Sequence, residues 1–477
     1  MKPSTKRRSV GAESFLKKVD SLVRANKLWE ALAELRSMAP AFGVNDFSEE
    51  FAQFNYLQGL VLWRLGDKQK ALGPARKALE LYLNQHSFEG VAKAQCLLGW
   101  VLIDLGNLKD AEEHLQLSVS AFKLVGDWAQ AARALNRIAY LYSIQGKLEF
   151  ANHFNDQARI CAVKANDRYY ELLLRCSRAV HNRLAGNWKS ALAGLDEFLN
   201  ESNKTADYFS HVYGLINLGH AHYLGGRSKQ ARKSYVEAIR VALRESLTGN
   251  LKVAYEFLAE LDIAESRFAE AEGNLKKALE IGERVSPYGT IMTQCWRLIG
   301  DLRLAQKEYD RALEAYATCR SYLIKLPEKL EEGTMYRGMG ICHIRKDQLS
   351  LAQTAFKNAI EIFEACENDW ELAKTYVEAA ECGAFALAEL RPKLAWSKGI
   401  FAELEHPSWE ARLEELLGHS EPSSNGIPLR LAHEMADRQR VAQALAETNG
   451  NISHAAGKLG ISRPALHYKI KRYKLAV

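Results

Sequence analysis

The sequence lacks several features that would define other classes of protein. It has no run of about 18 apolar residues, although 47% of its 477 residues are hydrophobic, so nothing in it predicts a membrane span. Its first residues, MKPSTKRRSVGAESF, are basic but have no apolar stretch typical of a secretory signal. Only 31 glycines and 10 prolines occur, too few for a collagen-like or low-complexity chain. The eight cysteines form no C-x-x-C pair, which favours buried thiols in a reducing cytoplasm over disulfides or a zinc site.

Motifs of common enzymes are also missing. We find no G-x-x-x-x-G-K-[ST] phosphate loop and no G-x-S-x-G, H-E-x-x-H or Rossmann glycine motif. His220 and His222 could indicate a metal, but two residues of that spacing point to different faces of a helix. We therefore expect no ATPase module, no other enzyme activity, no cofactor and no metal.

The positive charge is concentrated near the C-terminus. The net charge is +6, and the last 50 residues contain nine Lys/Arg and three acidic residues, so they account for all of it. A dispersed charge of this size would indicate little. A concentrated one predicts an anionic partner.

Most of the chain is a repeat of 40 residues. Gly66, Gly106, Gly146, Gly186 and Gly226 open the segments GDKQKA, GNLKDA, GKLEFA, GNWKSA and GRSKQA, and the same frame extends to nine units. Each unit has two helical patterns, and in five units a glycine stands at the turn between them. In eight units a small residue lies twelve positions before the alanine that ends these six-residue segments. One such helix pair cannot bury its own apolar face, so neighbouring units must stack.

This pattern resembles the tetratricopeptide repeat (TPR), although the period is 40 rather than 34 residues. The resemblance implies an all-α fold: a right-handed solenoid of about nine to ten helix pairs over residues 12–417, in which residues 369–418 form a terminal cap. It also implies a concave groove that holds a protein or peptide partner. The predicted groove residues are Lys93, Arg133, Asn136, Arg137, Tyr140, Tyr213, His220, Tyr223, Glu256, Glu260, Arg297, Asp301 and Arg337.

Arg133 and Arg137 lie one helical turn apart and could grip a carboxylate. The two-carboxylate clamp of chaperone-binding TPRs is absent, because Tyr56, Leu60 and Leu97 replace its polar residues. The alternative is that the groove residues only hold the solenoid together.

Two segments flank the solenoid. Residues 1–11 are basic, and we expect a disordered tail there. Residues 418–428, GHSEPSSNGIP, have no apolar period and predict a flexible linker. The pattern restarts after that linker, at residues 429–477.

The C-terminal segment contains three predicted helices. LRLAHEMADRQRVAQALAETNG is the first, Asn451 is an N-cap for ISHAAGKL, and Ser462 is an N-cap for RPALHYKIKRYKL. A helix, a glycine-containing turn and a second helix form a helix-turn-helix outline. The apolar residues expected to join its helices are Ala455, Ala456, Leu459, Ile461, Leu466 and Ile470. The residues expected to face outward are Arg463, His467, Lys469, Lys471 and Arg472.

GNISHAAGKLGISRPALHYKIKRY closely resembles the Fis-type helix-turn-helix, over residues 429–477. The resemblance implies binding to double-stranded DNA, with the last helix in the major groove, and homodimerisation through the preceding helix, about residues 430–448. Arg463 is the candidate for a guanine edge, and Lys469, Lys471 and Arg472 for phosphates. The DNA-binding positions are Asn451, Ser453, Ser462, Arg463, Ala465, His467, Tyr468, Lys469, Lys471 and Arg472.

Together these features predict a soluble, cytoplasmic, nucleoid-associated bacterial transcription regulator that reads a DNA sequence and receives a partner in its solenoid. One alternative is a TPR scaffold that its basic C-terminus tethers to DNA without sequence preference. Another is an accessory subunit of a signalling or enzyme complex. The sequence does not indicate the operator, the partner or whether the protein activates or represses.

Overall fold

The computed structural model describes residues 3–25, 27–42, 46, 48–204, 208–285 and 289–417, and part of the C-terminal region. That part comprises residues 438, 440–448, 451–459, 463, 466, 469, 470 and 473. All regular structure in these residues is helical. The chain divides into two compact units, Met1–Glu371 and Leu372–Val477.

The helices are α1 (Pro3–Arg24), α2 (Leu28–Met38), α3 (Glu49–Arg64), α4 (Lys68–Asn84), α5 (Phe88–Asp104), α6 (Leu108–Leu124), α7 (Trp128–Ile144), α8 (Leu148–Lys164), α9 (Arg168–Leu184), α10 (Trp188–Lys204), α11 (Tyr208–Leu224), α12 (Ser228–Arg244), α13 (Thr248–Ala264), α14 (Phe268–Val285), α15 (Thr290–Ala305), α16 (Tyr309–Leu323), α17 (Lys329–Arg345), α18 (Leu349–Ala365), α19 (Asp369–Glu381), α20 (Leu387–Glu403), α21 (Pro407–Leu417) and α22 (Ile452–Leu459). A 3-10 turn, Ala39–Ala41, follows α2.

The 40-residue period arises from the length of the helices. From α5 to α13 each helix has 17 residues, and three residues connect it to the next. A repeat is therefore two 17-residue helices with two short connections. The predicted all-helical stack of paired helices is confirmed, and α1 to α18 supply the nine units of the sequence frame.

The connections share one backbone conformation, although only some contain glycine. Gly106 and Gly146 have φ of 80° and 73°, in the left-handed region that closes a helix end. His86 and Asn166 adopt φ of 53° in the connections that join one repeat to the next. The predicted glycine caps are therefore present, but several connections, both within and between repeats, adopt the same turn without glycine.

Small residues allow the two helices of a repeat to approach closely. A Cβ added to Gly99 would lie 2.5 Å from Leu115 Cγ, and one added to Gly219 would lie 2.5 Å from Tyr235 Cε1. Both partners are buried. Because no real Cβ tolerates such a contact, the glycines determine the helix spacing that lets these large side chains fill the core.

Residues far apart in the sequence meet within the first unit. The Cys366 thiol donates to the carbonyl of Gln145 at 3.3 Å, and Asn368 Nδ2 donates to the carbonyl of Leu184 at 3.1 Å. Leu326 is buried in the same apolar cluster as Ile103 and Leu135. Consecutive turns of the solenoid are thus in direct contact.

Two expectations about the ends of the solenoid can be compared with the structure. Helix α1 begins at Pro3, so the disordered tail expected for residues 1–11 is wrong for residues 3–11. Proline suits the first helical position, and the single Gly11 costs a helix only about 1 kcal/mol. The linker predicted at 418–428 lies outside the described residues.

The remaining expectations concern cysteines and membrane spans. Seven of the eight cysteines are buried, as predicted, and Cys382 is half-buried. No helix in the described part of the chain is long and apolar enough to cross a membrane.

Candidate DNA-binding region and solenoid interior

The described C-terminal residues share a small apolar core. Val441, Leu445, Ala455, Leu466 and Ile470 are all buried in one cluster. These residues come from all three predicted helices of the helix-turn-helix. The predicted contacts of Ala455, Ala456, Leu466 and Ile470 are thus confirmed, and Leu459 packs against the same cluster.

Local contacts hold α22 in place. The Asn451 side chain accepts a hydrogen bond from the backbone N–H of His454 at 3.1 Å, which confirms the predicted N-cap. At the other end, Lys458 forms an ion pair with Glu447 on the preceding helical segment. This pair also lowers the pKa of Glu447, because the lysine donates a hydrogen bond to its carboxylate.

The structure places only some of the predicted DNA-binding residues. Arg463 is exposed, as a base-reading side chain must be. Lys469 is only 8% exposed, so the expectation that it faces outward is wrong. Its neighbour Ile470 belongs to the buried apolar cluster. Ser462, Ala465, His467, Tyr468, Lys471, Arg472 and the side chain of Ser453 lie outside the described residues, as does Ile461.

The interior of the solenoid begins with an aromatic region. Trp63 and Trp100 lie 4.8 Å apart between ring centroids, and the Arg137 guanidinium lies over both rings, at 5.7 Å and 4.8 Å. Trp63 Nε1 also donates to Asp104 at 2.9 Å. Arg137 is therefore held by cation–π contacts.

Arg133 has a different set of partners. Its guanidinium lies 3.5 Å from Asp167 and 5.2 Å from the ring centroid of Tyr170. Asn136 Nδ2 donates to the Tyr170 hydroxyl at 3.1 Å. The joint carboxylate grip expected of Arg133 and Arg137 is not formed, because each guanidinium contacts side chains of its own.

The middle of the interior contains a buried arginine and a buried histidine. Arg183 Nη1 donates to Nδ1 of His220 at 2.7 Å, and His220 Nε2 lies 3.9 Å from Glu260. Burial lowers the pKa of Arg183. Arg183 Nε has no hydrogen-bond partner among the described residues.

The last part of the interior is rich in carboxyl groups. Arg297 forms ion pairs with Asp301 at 2.6 Å and with Glu331. Arg337 pairs with Glu371 at 2.8 Å. Glu256 is only 2% exposed, and burial raises its pKa well above the usual value. Burial likewise raises the pKa of Glu260.

The other predicted groove residues vary in exposure. Tyr140 is 36% exposed, whereas Tyr213 and Tyr223 are half-buried, and burial raises the pKa of both of these hydroxyls. Lys93 is also partly exposed and pairs with Glu89 on its own helix at 2.5 Å. The predicted groove residues are therefore polar or aromatic, and they range from buried to exposed.

Sequence reasoning missed Arg183, Glu328, Glu331 and Glu371. Arg183 occupies the twelfth position of its repeat, one of the four positions that face the groove, so the repeat frame could have identified it. Glu328 lies in a connection before α17, where the frame makes no prediction. In the part of the chain that the structure describes, no three His, Cys, Asp or Glu side chains are grouped to hold a metal.

Comparison with protein families gives two matches. The family described as "Bacterial regulatory protein, Fis family" matches residues 433–473. The family described as "Tetratricopeptide repeat" matches residues 92–122, which cover most of α5 and α6. No curated protein sequence matches the chain.

Comparison with solved structures finds similar solenoids. A Rap protein in complex with Competence and Sporulation Factor has a TM-score of 0.51 and 16% identity, over 78% of this chain and 98% of that one. The apo form of RapI has a TM-score of 0.50 and 13% identity, over 58% of this chain and 99% of that one. The apo quorum sensor NprR from B. thuringiensis has a TM-score of 0.43 and 15% identity, over 78% of this chain and 99% of that one. At these identities the first two similarities concern the fold alone.

Proposed function

We propose that this chain, a TPR solenoid followed by a Fis-family helix-turn-helix, is a transcriptional regulator that reads a DNA sequence and responds to a protein or peptide in its solenoid. The observation that carries the proposal is the core of the helix-turn-helix. Leu466 and Ile470 are buried against α22 and the helical segment that precedes α22. Arg463, which belongs to the same predicted helix as Leu466 and Ile470, is exposed. A buried apolar face and an exposed basic one are what a recognition helix requires.

Arg463 is the residue we assign to base recognition. Its guanidinium carries two parallel N–H donors that match the O6 and N7 acceptors of guanine in the major groove. Lys471 and Arg472 are assigned to phosphates on the basis of the sequence. Lys469 is not, because a side chain so deeply buried cannot lie against a phosphate.

Dimerisation is proposed through the helix before the helix-turn-helix, about residues 430–448. Two recognition helices in a twofold-symmetric dimer would read two half-sites about one DNA turn apart. A palindromic site is therefore the expected target.

The solenoid is the proposed receiver of the partner. Its interior holds buried polar atoms without partners, including Arg183 Nε among the described residues. Such atoms cost free energy in the absence of a ligand, so a ligand that satisfies them binds favourably. The Rap protein with a similar fold was solved in complex with a factor, which is consistent with this role for the solenoid.

A selection of random duplex DNA by the full-length protein, at one stated salt concentration, tests the DNA-binding part of the proposal. We expect a palindromic motif. Recovery of no motif, with binding that disappears at moderate salt, would indicate the alternative of a TPR scaffold that is tethered to DNA electrostatically.

A further inference from the structure

The carboxyl groups in the solenoid interior are not part of the repeat's packing scheme. Glu256 occupies the fifth position of its repeat, and Glu260 the ninth. In the five earlier repeats the fifth position is uncharged, and its residues are Tyr56, Cys96, Asn136, Cys176 and Ile216. The fold is therefore built without a carboxylate at this position, and the presence of one here requires another explanation.

Two of these carboxyl groups are buried with an oxygen unsatisfied. Glu256 is 2% exposed and Glu328 is 8% exposed. In each, Oε2 has no hydrogen-bond partner among the described residues. An unsatisfied buried polar atom destabilises the folded protein, so two of them in one region are a substantial cost.

The nearby basic groups do not satisfy these oxygens. Arg297 is held by Asp301 and Glu331. Lys252, one turn before Glu256 on α13, also makes no hydrogen bond to Glu256 Oε2. The carboxyls of Glu328 and Glu331 lie close enough to Glu256 to affect its ionisation. The region therefore has more acidic groups than its own bases can pair.

We propose that Glu256 and Glu328 form the receptor site for one basic side chain, lysine or arginine, of an extended peptide that binds inside the solenoid. This inference rests on the proposed function, in which the solenoid receives a protein or peptide. An ammonium or guanidinium group carries several N–H donors and can reach more than one carboxylate oxygen. It satisfies the two Oε2 atoms and neutralises the acidic excess.

The surroundings fit the rest of such a side chain. Tyr223 lies near the same region, close enough to Glu260 for that carboxylate to affect its ionisation. The aliphatic part of lysine or arginine packs well on aromatic rings while its charged end reaches a polar site. The site thus distinguishes a basic side chain from an apolar one of similar length.

The test compares three pools of labelled random octapeptides with full-length protein by fluorescence anisotropy. The pools differ only in one fixed central residue, which is arginine, norleucine or glutamate. We expect the arginine pool to bind about tenfold or more tightly than the norleucine pool, the change that one charge-assisted hydrogen bond supplies. The wild-type protein alone gives this answer, so it does not depend on the folding of a variant.

The variants assign the effect to the two residues. Glu256→Gln and Glu328→Gln should each remove most of the preference for arginine. Glu80→Gln is the matched control, because Glu80 is exposed and pairs with Lys77 on the surface of α4. It should retain the preference in full.

Each other outcome overturns a defined part of the account. If the norleucine or glutamate pool binds as tightly as the arginine pool, the solenoid still receives a peptide, but the proposal that Glu256 and Glu328 bind a basic side chain is wrong. If no pool binds, a peptide ligand is wrong and the proposed function loses its partner. If spermidine binds in a manner that depends on Glu256 while no pool does, the site receives a free amine and not a peptide.

Discussion

Arg183 on α9 donates a hydrogen bond to Nδ1 of His220 on α11, at 2.7 Å. Arginine can only donate, so Nδ1 of His220 must accept and the proton of the neutral ring is on Nε2. That nitrogen lies 3.9 Å from Glu260 on α13. Side chains from three successive repeats are thus joined in the solenoid interior, where the sequence frame alone indicates only that they face the same way.

The first prediction concerns this buried pair. His220→Leu should lower the free energy of unfolding by about 2–4 kcal/mol, because it leaves the Arg183 guanidinium buried without its acceptor. Adding Arg183→Met should restore most of the loss, since an apolar side chain of similar length needs no partner. Denaturant unfolding of both single variants and the double variant measures the coupling. Additive losses would show that the two residues are independent.

A second prediction concerns the contact between successive solenoid turns. Gly146 has a positive φ, and a Cβ at this position would collide with Cys366. Gly126 has a similar φ of 78°, but a Cβ there would meet nothing within 4 Å. Gly146→Ala should therefore destabilise the protein by about 1–3 kcal/mol more than Gly126→Ala, which carries the same backbone strain. Equal melting temperatures for the two variants would argue against the contact between turns.

Replacing Glu256 should stabilise the free protein at neutral pH. Burial raises the pKa of Glu256 in the folded state, so its burial costs stability as the pH rises above the unfolded-state value near 4.5 and toward the folded-state value. Glu256→Gln should gain up to about 1.4 kcal/mol per pH unit over this window, relative to wild type, and nothing below it. Denaturant unfolding at pH 4 and at pH 7 measures the difference. A variant that is destabilised equally at both values would contradict the pKa direction.

The same titration should control binding of a basic peptide. A cation favours the ionised carboxylate, so affinity should rise with pH, by at most about tenfold per unit, until the folded-state pKa of Glu256 is passed. The charged and titratable groups around Glu256 are Lys252 and Glu260 on α13, Tyr235 on α12, Cys295 and Arg297 on α15, Glu328 and Glu331 at α17, and Arg183 on α9. Calorimetry in buffers of different ionisation enthalpy should detect proton release on binding. Affinity that falls as the pH rises would contradict the prediction.

Much of the fold could be predicted from the 40-residue repeat frame, because the two helices of each unit are held together by residues that are close in the sequence. The small residues, the glycine turns and the large side chains such as Leu115 could all be located by counting in steps of 40. The contact of Cys366 with Gln145 could not be, because it depends on small rotations that accumulate over more than five repeats. No local pattern encodes that sum.

The candidate sites show the same limit. The cap at Asn451 and the core residues Leu466 and Ile470 follow from sequence spacing, which specifies one face of a short helix. The burial of Lys469 does not, because its spacing is compatible with either the edge of the core or the solvent. Glu328 is set in place by tertiary structure, since it reaches the interior from a connection between helices.

The measurement that tests the central claim most directly is the affinity of Arg463→Ala for a selected DNA site and for each of its single-base variants. Lys458→Ala, which removes one positive charge from an exposed position on α22 outside both the predicted DNA contacts and the proposed dimerisation helix, is the matched control. Arg463→Ala should relax discrimination at one base pair per half-site by about 1–3 kcal/mol, while Lys458→Ala should preserve the sequence preference. Equal weakening of all sequences by both variants would show that Arg463 contributes only charge, and would contradict sequence-specific recognition by this residue.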